Sequence, residues 1–224
     1  MSWTPYPLSC ALREPALTRP VTSKPPSSYH HGNLRQALID ATVVLVTEGG
    51  ADNVTLRGAA RLAGVSRTAP YRHFKDKRAL LAGLAAEGFR AFEIVLSEAS
   101  RRHEDPGAKL QALGAAYVGF AVDRPAHFRV MFGAELGDKR KYPELMQAAN
   151  HAFTHLLDAV ESCRRAGMLR DVPAEELTLL AWSSLHGLAN LVLDGQLRAL
   201  GLEGHPPDSL ATNLSAHLMA GLLA

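Results

Sequence analysis

Between Gly32 and Glu48 the apolar residues Leu34, Ala37, Leu38, Ala41, Val44 and Leu45 return at intervals of three and four, which gathers them on one face of an α-helix. Gly49-Gly50 stops the pattern. Thr55 is placed to cap a second, short helix ending near Ala63, and Gly64 supplies the residue that accepts the left-handed backbone of a tight turn. Ser66 can cap a third helix. Asp76 precedes a fourth, Lys77 to Phe89, in which Leu80, Leu81, Leu84 and Ala85 share a face. Further on, Asp105-Pro106, Arg124-Pro125, Tyr142-Pro143, Val172-Pro173 and Pro206-Pro207 each put proline where a helix can begin. No segment alternates with period two and β-branched enrichment, so the expected fold is all-α, with about nine helices, no strands and no solenoid repeat.

The first 28 residues depart from this pattern. They hold 6 of the 13 prolines, interspersed with Ser and Thr and without periodicity, and read as a disordered arm. Arg13, Arg19 and Lys24 would let the arm brush a phosphate backbone, although most such tails are solvated spacers. Arg13 and Glu14 interrupt its one mildly apolar stretch, so no secretory leader is expected, and with only two distant cysteines and no disulfide framework the protein is expected in the reducing cytoplasm. The 17 uncharged residues from Leu177 to Leu193 approach the length of a membrane span. Ser183, Ser184, His186 and Asn190 would lack polar partners in lipid, so the segment reads as a helix buried within protein.

Composition adds little except by exclusion. A chain of 224 residues with 47% hydrophobic and 21% charged residues has the makings of a packed core and is not disordered as a whole. Cys10 and Cys163 stand far apart with no CxxC, which leaves neither a disulfide framework nor a structural zinc site. Charge is more telling in its distribution than in its total of +2. Residues 1–80 carry 11 Lys/Arg against 5 Asp/Glu, a balance of +6, whereas residues 81–224 carry 13 against 17, a balance of −4. The basic end is the candidate for a polyanion partner.

That end contains TLRGAARLAGVSRTAPYRHF, Thr55 to Phe74: a short helix, a glycine turn and a second short helix, with Ala60, Val65 and Phe74 as apolar anchors. This is helix-turn-helix spacing, and it frees the second helix to enter a major groove. Arg67 and Arg72 can reach phosphates or guanine edges, and Ser66, Thr68 and Tyr71 can donate to phosphate oxygens. The same residues would also make an ordinary solvated helix face.

Together, YHHGNLRQALIDATVVLVTEGG and TLRGAARLAGVSRTAPYRHFKDKRALL, from Tyr29 to about Leu81, strongly resemble the N-terminal domain of TetR-family transcriptional regulators. The resemblance implies phosphate or base contacts from Thr55, Arg57, Ser66, Arg67, Thr68, Tyr71, His73 and Lys77; Arg72 joins them on its chemistry alone. Two departures from the family pattern matter: it usually has glycine near Thr68 and leucine at the position of Pro70. Proline removes one backbone donor, and a local adjustment of the third helix is expected rather than a break. Gly58, within the second helix, suggests a neighbour that packs closely.

The second half, about residues 105–220, resembles a narrower group of the family with a Trp…His-Gly signature, here Trp182, His186 and Gly187 in WSSLHGLANLVLDG. Such domains bind small molecules between helices and dimerise through their last two helices. Tyr117, Phe120, His127, Phe128, Met131, Phe132, Phe153, Trp182 and His186 offer apolar bulk around a few polar groups, either a ligand pocket or plain core. His186 reads most simply as a hydrogen-bonded buried histidine.

No catalytic constellation is expected. His151 and His155 could share a helix face, but no HExxH completes a metal site and His103 is remote in sequence. Ser183 and Ser184 lack a G-x-S-x-G elbow. Neither a metal nor a cofactor is expected, and an enzyme or ligand carrier is the less favoured alternative.

The expected organisation is a Pro-rich arm over 1–28, a helix-turn-helix DNA-binding domain over 29–80 and a helical effector-binding and dimerisation domain over 81–224. The function expected is a dimeric repressor that leaves a palindromic operator when a small effector binds, with a ligand-responsive activator as the alternative. In the last helix Leu210, Leu214, His217, Leu218 and Gly221 form a stripe that needs a partner. Ala211, Ser215, Ala216 and Ala220 are expected to let helices of two copies approach closely, with the 177–193 helix as the second half of the interface.

Overall fold

In the computed structural model, which describes residues 34–222, eight α-helices follow one another: α1 (Leu34–Gly49), α2 (Leu56–Leu62), α3 (Lys77–Arg101), α4 (Pro106–Asp123), α5 (Pro125–Phe132), α6 (Pro143–Arg165), α7 (Ala174–Leu193) and α8 (Pro207–Leu222). Strands are absent among the described residues. The N-terminal arm, with Cys10, Arg13, Arg19 and Lys24, lies outside them.

Local chemistry accounts for the helix starts. Four helices open on the expected proline, whose missing N–H costs nothing in a first turn, and α7 opens one residue after Pro173. Asp76 and Asp105 accept hydrogen bonds from the backbone N–H of Ala79 and Ala108, at 2.8 and 2.7 Å, and so cap α3 and α4.

One expected helix is missing. Of the nine, the third does not form as an α-helix: its place is taken by a 3₁₀ segment of 4 residues, Ala69–Arg72. Further short 3₁₀ segments cover Ala51–Asn53, Lys139–Lys141 and Gln196–Leu200.

Helix α3 is the spine. It runs 25 residues rather than stopping at Phe89, packs against α1, α4, α5 and α6, and buries Leu80, Leu81, Leu84, Phe89, Phe92 and Leu96. Residue 80, the expected domain boundary, therefore lies inside one continuous helix. Helix α1 departs from its expected stripe. Leu38, Ile39, Ala41, Thr42 and Val46 are buried while Val44 faces solvent, because α1 is covered by α2, α3 and α5 rather than along a single seam.

In the C-terminal half, α8 lies along α4, where a Cβ on Gly114 would collide with Ser215 Oγ. Ala211 and Ser215 thus turn inward, against the expectation that they line an interface between copies; Ala216 and Ala220 remain on the outer surface. Helix α7 buries Leu177, Thr178, Ala181, Leu185 and Ala189 but leaves Leu179, Leu180 and Leu191 exposed. None of the described helices is long and apolar enough to cross a membrane.

Candidate DNA-binding and effector sites

Thr55 Oγ1 accepts the Gly58 N–H at 2.9 Å and fixes the start of α2. Leu45 and this cap sit where a Cβ on residue 58 would press, which accounts for glycine there. The helix ends in a Schellman motif: Val65 N–H bonds Ala60 O at 3.0 Å, Gly64 N–H bonds Arg61 O at 3.2 Å, and Gly64 adopts φ +68°.

The chain then enters the recognition segment. An α-turn from Ser66 would need the N–H that Pro70 lacks, so Ala69 N–H takes the Ser66 carbonyl at 3.0 Å in a tighter i→i+3 bond. Tyr71 N–H bonds Thr68 O at 3.3 Å, and both His73 and Phe74 donate to Pro70 O at 2.9 Å. Pro70 and Phe74 are buried, and the Arg35 guanidinium lies 5.6 Å over the Phe74 ring. Ser66 does not cap the segment; its hydroxyl lies 3.3 Å from that of Thr68.

This tight winding turns polar side chains outward. Thr55, Arg57, Ser66, Arg67, Thr68, Tyr71, Arg72 and His73 are all exposed. Lys77 is half-buried, and its ammonium donates to Asp52 O at 2.7 Å, so it ties α3 to the Ala51–Asn53 segment. Arg61 was missed from the sequence: with Arg57 and Arg67 it borders one surface depression, and its position four residues after Arg57 on α2 was the available signal. From residue 53 to residue 75 the chain carries five cations, Arg57, Arg61, Arg67, Arg72 and Lys75, and no carboxylate. A face of this kind suits phosphates.

The helical body holds a half-open cavity of about 280 Å³ between α3, α4, α5, α6 and α7. Tyr117, Phe132, Phe153 and Trp182 line it, as expected of a pocket. Phe120, His127 and Met131 do not; they are buried in the core, and Phe120 packs at a tilt against Phe92 with centroids 4.9 Å apart. Phe128 and His186 border a separate depression beside Gly49 and Asp52. Phe89, Phe92 and Leu96 of α3, Met146, Ala149 and Asn150 of α6 and Lys139 also line it without having been foreseen.

The Trp…His-Gly signature has a physical hub in Tyr117. Trp182 Nε1–H donates to the Tyr117 hydroxyl oxygen at 3.1 Å, and that hydroxyl lies 2.9 Å from His186 Nδ1. Burial keeps Tyr117 protonated, its ionisation pushed well above the usual phenol range.

Burial also holds His127 and His186 below the ordinary histidine value of 6.5; Glu87 works against it at His127, and the charge of Lys139 adds to it at His186. With both values depressed, the unfolded chain takes up protons first. Stability is expected to be full above about pH 6.5 and to fall as pH drops toward the folded values, where the loss is complete. Urea unfolding across that range measures it. His127→Gln and His186→Gln should each flatten the dependence, and an unchanged slope in the double variant would sink the assignment.

Polar bridges tie α1 to the helical body. Gln36 of α1 donates to Glu87 of α3 at 2.7 Å, and the other Glu87 oxygen is 3.4 Å from His127 Nε2 of α5. Glu144, at the start of α6, meets Arg35 of α1 at 3.1 Å and Arg90 of α3 at 3.5 Å. Among the described residues no group of three or more His, Cys, Asp or Glu is arranged to hold a metal, and His151 instead faces Glu93 at 4.0 Å.

A small basic head shaped for a major groove, carried on a helical body with room inside for a molecule, is the architecture of a ligand-responsive DNA-binding regulator. Known proteins narrow the class. The family described as "Bacterial regulatory proteins, tetR family" matches residues 38–84, and that described as "Tetracyclin repressor-like, C-terminal domain" matches residues 110–218. The class D tetracycline repressor of Escherichia coli is 35% identical over 95 residues, 42% of this chain and 38% of that protein. The HTH-type transcriptional regulator BetI of Cronobacter sakazakii is 28% identical over 186 residues, 77% of this chain and 81% of that protein. A solved structure from Rhodococcus sp. RHA1, of unknown function, is 30% identical, covers 89% of this chain and 100% of its own, and superposes with a TM-score of 0.75. The chain belongs to the TetR family and is a DNA-binding transcriptional regulator.

Proposed function

We propose that the protein is a dimeric repressor that holds a palindromic operator through two copies of the Thr55–His73 surface and leaves it when a small effector fills the cavity between α3, α4, α5, α6 and α7. Residues 29–80 serve as the DNA-binding module and the remainder as the effector and dimerisation module. The observation that carries this reading is the shared use of helices. Helix α5 lends Phe132 to the cavity and His127 to the Glu87–Gln36 bridge, while α6 lends Met146 to the cavity and Glu144 to Arg35. A molecule that favours one setting of α5 and α6 thereby favours one setting of α1. Release follows from its differential affinity for the two settings. In the dimer, α7 and α8 of each copy form a four-helix contact that sets the recognition segments for grooves about 34 Å apart.

The test is a gel shift on the protein's own upstream region over a salt titration; an indifferent protein would overturn the reading. Within that assay Arg67→Ala separates reading from gripping. At the matched site it is expected to cost roughly 1–3 kcal/mol, with a smaller loss on random DNA, because an exposed arginine opening the segment can grip guanine O6 and N7 together. Equal losses on both would make Arg67 a phosphate contact.

A further inference from the structure

We infer that the cavity is built for an apolar monocarboxylate of about two rings, whose carboxylate meets the Lys139 ammonium. This rests on the cavity being the effector site.

Size comes first. A cavity of about 150 Å³ holds one benzene. The 280 Å³ here fits a body about twice as large. Its walls favour flat apolar groups, since Phe89 meets Phe132 edge-on at 5.5 Å and Phe153 meets Trp182 edge-on at 6.3 Å, leaving ring faces and edges toward the space between.

Charge decides the head group. The lining contains no Asp or Glu and a single cation, Lys139. The polar atoms of Tyr117 and Trp182 are taken up by each other and by His186, and the one other polar side chain of the lining, Asn150, is an uncharged amide at the exposed end of the wall. Lys139 donates one hydrogen bond, to Met131 O at 2.7 Å, and no carboxylate among the described residues lies within ion-pair distance of it. An ammonium has three donors, so two remain for a ligand. Burial works against its charge while the Glu135 carboxylate, beyond ion-pair distance and with Oε2 buried without a hydrogen-bond partner, helps to keep it, so an incoming carboxylate would be the first to pair with the ammonium directly. A cationic ligand would meet like charge in a poorly solvated place.

A purely structural lysine would also sit here, with its ammonium on a carbonyl at the C-terminal end of α5. Calorimetric titration with three ligands of one shape separates the roles: naphthalene-2-carboxylate, 2-naphthylmethanol and 2-naphthylmethylammonium. The wild type is expected to bind the acid about tenfold or more tighter than the alcohol, the advantage of a charge-assisted hydrogen bond, and the ammonium weakest. Lys139→Gln keeps a donor for Met131 O and is expected to erase the preference while leaving alcohol affinity in place. Lys139→Arg should retain the preference, and Ala149→Phe, which fills the cavity, should abolish binding of all three. If alcohol and acid bind alike and Lys139→Gln changes nothing, the monocarboxylate inference falls and the cavity remains an effector site. If none of the three binds at millimolar concentration, both the ligand class and the effector reading fall.

Discussion

Leu214→Glu is expected to yield a monomer with native helical content that binds the operator about 10² to 10⁴ times more weakly, the factor lost when two linked half-sites become one. Within a single chain Leu214 is only half-buried on α8, in line with Leu210 and Leu218, while Leu180 and Leu191 on α7 are 41% and 43% exposed. Water would wet all of these in a lone copy. A second copy would cover them, and a glutamate placed in that closed contact has no partner to compensate its charge. Because the inner face of α8 is Ala211, Ser215 and Met219, the substitution leaves the fold of the single chain intact. Sedimentation and circular dichroism decide: a mutant that stays dimeric with full operator affinity would remove α8 from the interface.

Phe128→Ala should act on a different quantity. Phe128 is fully buried, in edge-to-face contact with Tyr117 at 5.8 Å and beside Phe132 at 4.9 Å, so its truncation is expected to cost about 3–5 kcal/mol of unfolding free energy. Phe153, also aromatic but 45% exposed on the cavity wall, should lose little stability on truncation while weakening ligand binding. Urea unfolding beside a ligand titration compares the two. If Phe153→Ala destabilised as strongly as Phe128→Ala, it would belong to the core rather than to the pocket.

This pair also marks where the sequence was legible. Helix starts could be read because proline and the capping residues Thr55, Asp76 and Asp105 act within a turn of their own position. The face of α1 was misread because what buries Ile39 and Val46 comes from other helices, which periodicity within one segment does not reveal. Aromatic residues announced a pocket but not their sides. Tyr117 and Phe128 look alike along the chain, yet one faces the cavity and the other does not. Phe92 escaped notice because the fourth helix was expected to end at Phe89, and Lys139 because a cation is not sought in an apolar wall. The recognition segment was read as an α-helix because Pro70, four residues beyond Ser66, looked compatible with a first turn. Buried beside Phe74 and unable to bond Ser66 O, it holds the tighter winding instead.

That winding limits what can be borrowed from relatives. A 3₁₀ segment advances about 2.0 Å per residue against about 1.5 Å in an α-helix, and it eclipses residues three apart. Ala69 to Arg72 therefore spans about 6 Å rather than about 4.5 Å along the segment axis, and Thr68 falls in line with Tyr71. Letters copied from an α-helical recognition element into these positions would present the same chemical groups at the wrong pitch. Reprogramming this regulator for a new operator would have to begin by replacing Pro70, and only then choose the side chains that read the bases.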